Sequence, residues 1–233
     1  MAGILGKKIG MTQIFTEDGT MIPVTVIQSG NCSILQVKTE QSDGYNAIQL
    51  GFDEIKDSKV KKPQREKFKK TKVAARKLLK ELRVDDPQNY KVGQDITVEQ
   101  LAPGDFVDIA GVSKGKGFQG GIKRWGWSGG PSGHGSMSHR APGSIGASAY
   151  PSRVIKGHHL PGHMGHQEVT VEGLEVVKID KDNSIITIKG SVPGPKNNYL
   201  VIEKSKKKKP KVSGLAEKKE PEKSEKAKPT KKS

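Results

Sequence analysis

AGVSKGKGFQGGIKRWGWSGGPSGHGSMSHRAPGSIGASAYPSRVIKGHHLPGHMGHQ, residues 110–167, contains no Asp and no Glu, and Asp108 and Glu168 are the acids that bracket it. The same stretch holds 15 of the 28 glycines, all six histidines, both tryptophans and seven Lys or Arg residues. A dense array of phosphates repels carboxylates, and each cation placed against it releases counterions. The composition therefore indicates a segment that lies against a nucleic acid.

Strand-like sequence lies on both sides of this stretch, in β-branched runs bounded by turn dipeptides such as Asp18-Gly19 and Asp43-Gly44. The predicted strands cover residues 14–15, 21–28, 33–38, 47–52, 96–98 and 106–109 before the stretch, and residues 169–179, 184–189 and 199–202 after it. The sequence thus predicts a mainly β fold, with a discontinuous β-barrel body formed by residues 1–109 and 168–203. Residues 110–167 are then a long extended loop inserted into the barrel.

Residues 56–83 differ from the strands around them, with 13 basic and three acidic side chains. Their apolar residues recur at helical spacing, namely Phe68, Ala75, Leu78, Leu79 and Leu82. This pattern predicts a small α insertion, a basic amphipathic helix between strands. Its charged face is either solvent-exposed or directed toward RNA, and the sequence leaves both interpretations open.

Two segments carry all of the formal net charge of +16. The Lys-rich tail, residues 204–233, contributes +9 from 13 Lys and four Glu, the acid-free stretch contributes +7, and the remainder sums to zero. The tail has too few apolar residues to bury, so the sequence predicts that it is disordered.

Cys32 is the single cysteine, which excludes an internal disulfide and favours a reducing, cytoplasmic location. Residues 1–15 are interrupted by Lys7, Lys8 and glycines too often for a secretory signal. No apolar run approaches the roughly 20 residues of a membrane span. The sequence therefore predicts a soluble protein with no membrane partner.

A glycine motif in the acid-free stretch offers an enzymatic alternative. Gly115-x-Gly117-x-x-Gly120 matches a dinucleotide-binding fingerprint, but the acid expected about 20 residues later is missing. Nucleophilic catalysis would need a Ser-His pair from the stretch with an Asp of the barrel, and the sequence leaves this arrangement open.

Four histidines near the end of the stretch resemble a metal cluster and offer a second enzymatic alternative, a metal-dependent hydrolase: His158, His159, His163 and His166. Pro161 and Gly162 break the helix that would place two rings on one face, and no carboxylate or thiol is available to complete a site. The alternative is that the imidazoles stack on or hydrogen-bond to bases, sugars and phosphates.

Trp125 and Trp127 occur in Lys123-Arg124-Trp125-Gly126-Trp127, either as core residues or as platforms for a ligand. A Trp beside Lys-Arg in a glycine-rich loop suits stacking on a base or ribose, worth about 1–3 kcal/mol. Ordering a loop of this length costs roughly 60–120 kcal/mol, and its few aliphatic residues cannot offset that by self-burial. The sequence therefore predicts a loop that an RNA partner folds, with no catalytic residue, cofactor or metal.

Four motifs in order carry a resemblance to a known family. They are GKKIGMTQIF at residues 6–15, SKGKGFQGGIKRW at 113–125, HGSMSHRAPGSIG at 134–146 and KGHHLPGHMGHQ at 156–167. Together they resemble the bacterial form of large-subunit ribosomal protein three, the universal L-three family. The similarity covers roughly residues 1–203 and leaves out the Lys-rich tail.

This resemblance implies a non-enzymatic, structural protein with a translation-protein-like β-barrel on the surface of the large ribosomal subunit. It implies direct binding to 23S-type rRNA early in subunit assembly, neighbouring large-subunit ribosomal proteins as further partners, and no small-molecule substrate. The central loop would reach toward the peptidyl transferase centre, with Trp125 at its tip. Some relatives carry a methylated Gln shortly after PGSIG, whereas residues 147–150 read Ala-Ser-Ala-Tyr here and offer no acceptor.

The residues and the resemblance together predict one rRNA interface. Its members are Lys7, Lys8, Lys114, Lys116, Phe118, Lys123, Arg124, Trp125, Trp127, His134, His139, Arg140, Arg153, Lys156, His158, His159, His163 and His166.

Overall fold

The computed structural model describes residues 3–208. The strands in chain order are β1 Ile4–Phe15, β2 Met21–Gln28, β3 Cys32–Lys38, β4 Ala47–Glu54, β5 Arg76–Arg83, β6 Asp95–Ile96, β7 Phe106–Val112, β8 Gly117–Gln119, β9 Gly162–Met164, β10 Glu168–Asp180, β11 Ile185–Lys189 and β12 Tyr199–Lys204. The helices are α1 Glu40–Asp43, α2 Lys62–Thr71 and α3 Gly121–Trp125, with 3-10 turns at Asp57–Lys59, Pro87–Asn89 and Val98–Gln100. The predicted mainly β class is confirmed.

Six antiparallel strands form a closed ring in the order β1-β12-β7-β10-β11-β2. Alternate residues of these strands point inward, because successive side chains of a strand lie on opposite faces. On β7, for example, Val107 and Ile109 are fully buried, and Ile186 and Ile188 of β11 are buried in the same core. Strands from both sides of residues 113–167 therefore share one core.

A second sheet of four strands, in the order β5-β4-β3-β6, packs on the ring. Its buried residues, including Ile34, Ile48 and Leu50, belong to the same core cluster as the ring residues. The sequence predicted a single barrel from all of these strands, whereas the structure assigns β3 and β4 to this separate sheet. Alternation of apolar residues predicts that a strand has a buried face, but it does not predict which strand pairs with it.

The predicted helix over residues 56–83 is wrong in its second half. The helix α2 ends at Thr71, and Lys72 adopts a left-handed backbone conformation with φ of 54°. Residues 76–83 form the strand β5, in which Leu78 pairs with Phe52 and Leu82 with Ile48. A spacing of four residues places two side chains on one face of a helix and also on one face of a strand, so the Leu spacing did not distinguish them.

Lys204 to Lys208 are ordered, which corrects the predicted start of the disordered tail. Lys204 is the last residue of β12 and pairs with Asp105 at 2.9 Å, and Lys207 contacts Glu172 at 2.5 Å. The remainder of the predicted tail, residues 209–233, lies outside the described residues. No helix within residues 3–208 is long and apolar enough to cross a membrane.

Candidate nucleic-acid interface

The acid-free loop leaves and rejoins the ring through neighbouring strands. β7 pairs with β10, and the last pair of that ladder joins Val112 to Glu168. Beyond it, the Ser113 amide donates to the Gln167 carbonyl at 2.8 Å. The Glu168 carboxylate, which closes the acid-free stretch, pairs with Lys80 at 3.2 Å. The loop thus starts from a narrow neck formed by Ser113 and Gln167, and the adjacent acid, Glu168, is paired with Lys80.

The two arms of the loop continue as a short hairpin. β8 and β9 pair antiparallel, with Phe118 opposite His163. The Phe118 side chain is 77% exposed. The Lys116 amide donates to the Met164 carbonyl at 2.9 Å, so the backbone of Lys116 extends the hairpin and its side chain is exposed there. An aromatic ring, an imidazole and a cation are therefore presented together on an exposed surface.

After β8, the helix α3 is fastened to the returning arm at Leu160. The Arg124 guanidinium and the Trp125 indole N–H both donate to the Leu160 carbonyl, at 2.8 and 2.9 Å. The His159 ring stacks on Trp125 with a centroid distance of 4.0 Å and an interplanar angle of 7°. The Arg124 guanidinium lies 4.8 Å from the Trp125 ring centroid. We call Arg124, Trp125, His159 and Leu160 the clamp.

Two glycines allow close approaches at the clamp and at the neighbouring helix α3. A side chain at Gly121 would collide with the Trp127 ring, and a side chain at Gly162 would collide with the Arg124 guanidinium. Because glycine has no Cβ, backbone and large side chains approach here more closely than any other residue allows. Trp127 consequently packs on α3 and is half-buried, which identifies it as an internal contact of the loop.

An open pocket of about 350 Å³ lies between the clamp and the β8–β9 hairpin. Within the described part of the chain, its lining includes Lys114, Lys116, Arg124, Trp125 and His163 and contains no carboxylate. Three cations beside two aromatic rings attract a phosphate and offer a base a surface on which to stack. The pocket therefore has the chemistry of a nucleotide subsite.

The distal arm, residues 128–157, has little internal structure. The Gly130 amide donates to the His139 carbonyl at 3.1 Å, and the His139 ring contacts the Pro131 carbonyl at 2.8 Å. Its cations and the remaining predicted histidines of this arm are all exposed: His134, His139, Arg140, Arg153 and Lys156. None of the ion pairs formed within residues 3–208 includes a Lys or Arg of the acid-free loop.

Five exposed apolar residues of the distal arm were missed by the sequence reasoning, and Met137, Tyr150 and Ile155 are the most exposed of them. Met137 is 99% exposed, Tyr150 90% and Ile155 68%. Single exposed apolar side chains are normal on protein surfaces, so their exposure alone does not identify a partner. The signal available in the sequence was their isolation among glycines, serines and prolines.

Lys8 was predicted to lie in the rRNA interface, but the structure buries it. Its side chain is 7% exposed, and its ammonium donates to the carbonyls of Val192 at 2.7 Å and Gly194 at 3.1 Å. Burial, and secondarily the charge of Lys114, lower the pKa of Lys8. Lys8 therefore fixes the backbone of residues 192–194 inside the protein. Lys7, its neighbour, is half-buried beside β2.

The geometry of the described residues matches neither of the two enzymatic alternatives. Trp125 also lies elsewhere than the resemblance implied. The strand β8 occupies the interior of the glycine motif, so the motif does not form the strand-to-helix turn that binds a dinucleotide. Residues 3–208 contain no cluster of His, Cys, Asp or Glu that could hold a metal ion, and His159 stacks on Trp125 while His163 lines the pocket. The resemblance implied that Trp125 is at the tip, but its contacts place it where the two arms meet.

The amino-acid sequence of the chain is similar to those of known proteins. A family model described as Ribosomal protein L3 matches residues 31–185. A large ribosomal subunit protein uL3 from Carboxydothermus hydrogenoformans is 54% identical over 203 residues, which cover 87% of this chain and 97% of that protein. The proteins of the same name from Syntrophotalea carbinolica and Pelotomaculum thermopropionicum are 53% and 51% identical, covering 88% of this chain and 98% and 97% of those proteins.

The β-rich body, its cationic loop and these relatives define a ribosomal protein, a structural class without enzymatic activity. The chain belongs to the ribosomal protein L3 family. The family predicted from the four motifs is therefore confirmed, and so is the prediction that the protein is not an enzyme.

Proposed function

We propose that this protein is a structural constituent of the large ribosomal subunit and binds 23S-type rRNA directly through residues 110–167. One observation carries the proposal. The seven cations of a 58-residue loop without acids lack a carboxylate partner among the described residues, although acids are plentiful on the body. Exposed cations without partners are attracted to a polyanion at no cost of breaking an internal ion pair.

The interface has two parts with different tasks. The clamp and the adjacent pocket are preorganised by hydrogen bonds to Leu160, so they offer a fixed site for a nucleotide. The distal arm has few internal contacts, and RNA supplies the contacts that order it. Phosphate contacts from Lys and Arg position the loop, while Trp125 and His163 stack on unpaired bases.

The closed ring is, in this proposal, a translation-protein-like β-barrel seated on the subunit surface, with neighbouring large-subunit proteins around it. The loop extends from it toward the peptidyl transferase centre, and binding of the loop supports early subunit assembly. The narrow neck at Ser113 and Gln167 supports this arrangement, because both arms leave the ring together. The relatives' name, large ribosomal subunit protein, supports the assignment of the subunit.

Salt dependence of rRNA binding tests the proposed interface. The double variant Lys116→Gln/Lys123→Gln removes two exposed loop cations, and Lys91→Gln/Lys178→Gln removes two exposed body cations as the matched control. With a 23S-type rRNA transcript, the slope of log K against log salt should shrink by roughly 1.4–1.8 for the loop variant, at about 0.7–0.9 per phosphate contact. The control slope should be unchanged. Equal slopes for both variants would overturn the loop as the rRNA-binding element.

Crosslinking from the distal arm tests its location in the subunit. A photoreactive amino acid at Tyr150, which is 90% exposed, should crosslink to rRNA at the peptidyl transferase centre in assembled subunits. The same amino acid at Val92, which is 51% exposed on the body, is the control and should not reach that region. Crosslinks from Tyr150 only to proteins or to distant rRNA would contradict the proposed path.

Partial proteolysis tests folding of the loop by RNA. Trypsin should cleave after the exposed Arg140, Arg153 and Lys156 in the free protein, and an rRNA transcript should protect these sites. Equal resistance with and without rRNA would show that the distal arm is ordered by the protein alone.

A further inference from the structure

The hairpin formed by β1 and β2 projects from the ring. β1 pairs with β12 only from Ile4 to Lys7, and β2 pairs with β11 only from Val24 onward. Among the strands of residues 3–208, Met11 to Phe15 of β1 therefore pair only with β2, and Met21 and Ile22 of β2 pair only with β1. The Pro23 carbonyl accepts a hydrogen bond from the Gly190 amide at 2.9 Å, where the hairpin leaves the ring. Hydrogen bonds between Thr16 and Thr20 close its turn.

One face of this projecting hairpin is exposed and mainly apolar, with Gln13 as its one polar member. Strand alternation places Met11, Gln13 and Phe15 of β1 on the same face as Met21 and Pro23 of β2, and Phe15 is directly opposite Met21. Met11 is 53% exposed, Phe15 63% and Met21 54%. We call these five residues the hairpin face. Contiguous exposed apolar side chains on a projecting element are typical of a surface that a partner covers.

The charge of the hairpin indicates what kind of partner covers it. Residues 9–37 contain no Lys, Arg or His, in a chain with a net charge of +16. The two charges in that segment are Glu17 and Asp18, both exposed at the turn. Lys196 lies near Gly10 at the base of the hairpin. A side chain at position 10 would point to the face opposite the hairpin face, so Lys196 lies on that opposite side. A surface without cations and with an acidic end repels phosphates, so RNA is disfavoured here.

We propose that the hairpin face docks a protein, namely a neighbour in the subunit that presents apolar side chains flanked by Lys or Arg. The apolar residues bury against the partner's apolar centre, and Glu17 and Asp18 attract its cationic rim, which orients the contact. The free edge of β1 beyond Lys8 additionally offers unpaired backbone groups for an added strand. This inference rests on the proposed membership in the large subunit.

Site-specific crosslinking in assembled subunits tests this inference. A photoreactive phenylalanine analogue replaces Phe15 in the full chain, and the matched control carries it at Thr12, which is exposed on the opposite face of the same strand. Recovery of the chain in the subunit tests the proposed function separately. Crosslinks from position 15 to one protein segment that is apolar and rich in Lys or Arg, in excess over position 12, would support the docking face. Crosslinks to rRNA, equal crosslinks from both positions, or none would overturn it.

A substitution provides a second measurement. Phe15→Ser/Met21→Ser should reduce the affinity of the crosslinked neighbour for the protein by at least about tenfold, since buried aromatic anchors dominate such contacts. Thr12→Ser is the control and should leave that affinity unchanged. The ring's thermal unfolding and the salt slope of rRNA binding should be the same in both variants, because the hairpin face lies outside the buried core. Unchanged affinity in Phe15→Ser/Met21→Ser would contradict the proposal.

Discussion

The substitution Trp125→Ala tests whether the clamp is stabilised independently of the body. Trp125 is 42% exposed and belongs to neither buried cluster of the described structure. Its local contacts are the hydrogen bond to Leu160, the stack on His159 and the guanidinium of Arg124. We therefore expect the substitution to open the clamp and to leave unfolding of the body unchanged.

The magnitude follows from these three contacts. A hydrogen bond contributes about 1 kcal/mol, an aromatic stack about 0.5–1.5 kcal/mol and an exposed cation–π contact about 0.5–1 kcal/mol. Neighbouring contacts are incompletely additive, so we expect a local loss of about 2–3 kcal/mol. At about 1.4 kcal/mol per factor of ten, local opening becomes roughly 30- to 150-fold more frequent.

Hydrogen exchange measures this opening directly. The amides of Arg124 and Gly126 donate within α3 and its cap, both at 3.0 Å, and should lose protection by that factor in Trp125→Ala. Trp125→Phe keeps a ring but loses the N–H donated to Leu160, so we expect only about a fivefold change. Exchange of Ile109 on β7 should be unaffected in both variants. A lower melting temperature of the body, or unchanged protection of α3, would refute the reasoning.

Three further predictions concern Lys8 and Cys32 of the body and Gly121 of the loop. Lys8→Met should lower the free energy of unfolding by about 1–3 kcal/mol, since it leaves buried carbonyls unpaired, and should not alter the salt slope of rRNA binding; a smaller slope would show that Lys8 contacts RNA. Burial raises the pKa of Cys32 from 9.0 to about 11. The stability from this raised pKa is complete below pH 9 and is lost as the pH rises through about 11, by up to about 3 kcal/mol. Urea titrations of Cys32→Ala should show a smaller loss between pH 9 and 11, and an equal loss would exclude the thiol. Gly121→Ala should displace Trp127 and weaken rRNA binding without lowering the melting temperature of the body, and unchanged binding would make that close approach dispensable.

Local pattern predicted most of the ring strands. The sequence prediction for β2, residues 21–28, matches the observed strand, because β-branched residues there are bounded by a turn on each side. Most of β1 was missed, since Gly6, Gly10 and the two lysines interrupt its pattern. Gly6 is required there because a side chain would collide with Ile27, and that requirement comes from the neighbouring strand.

In the loop, too, the sequence predicted which residue types matter but not which contacts they make. Its exposed cations, such as Lys116 and Lys123, were found from composition, since the absence of acids is visible without a fold. That Trp125 is fastened to Leu160 was not predictable, because the two residues are 35 positions apart and the acceptor is a backbone carbonyl. Sequence reasoning identifies side-chain chemistry, but any residue has a carbonyl to offer.

The amino-acid sequence by itself determined the family, the mainly β class and the cationic, acid-free character of residues 110–167, because each depends on residue types and short spacings. Only the tertiary structure decided that residues 76–83 form a strand, that the strands divide into a ring and a second sheet, and that Lys8 is internal. These outcomes depend on partners distant in the chain, Lys8 and Val192 being 184 positions apart. Burial and pairing are properties of the packed chain, and they select among local conformations that the sequence leaves nearly equivalent.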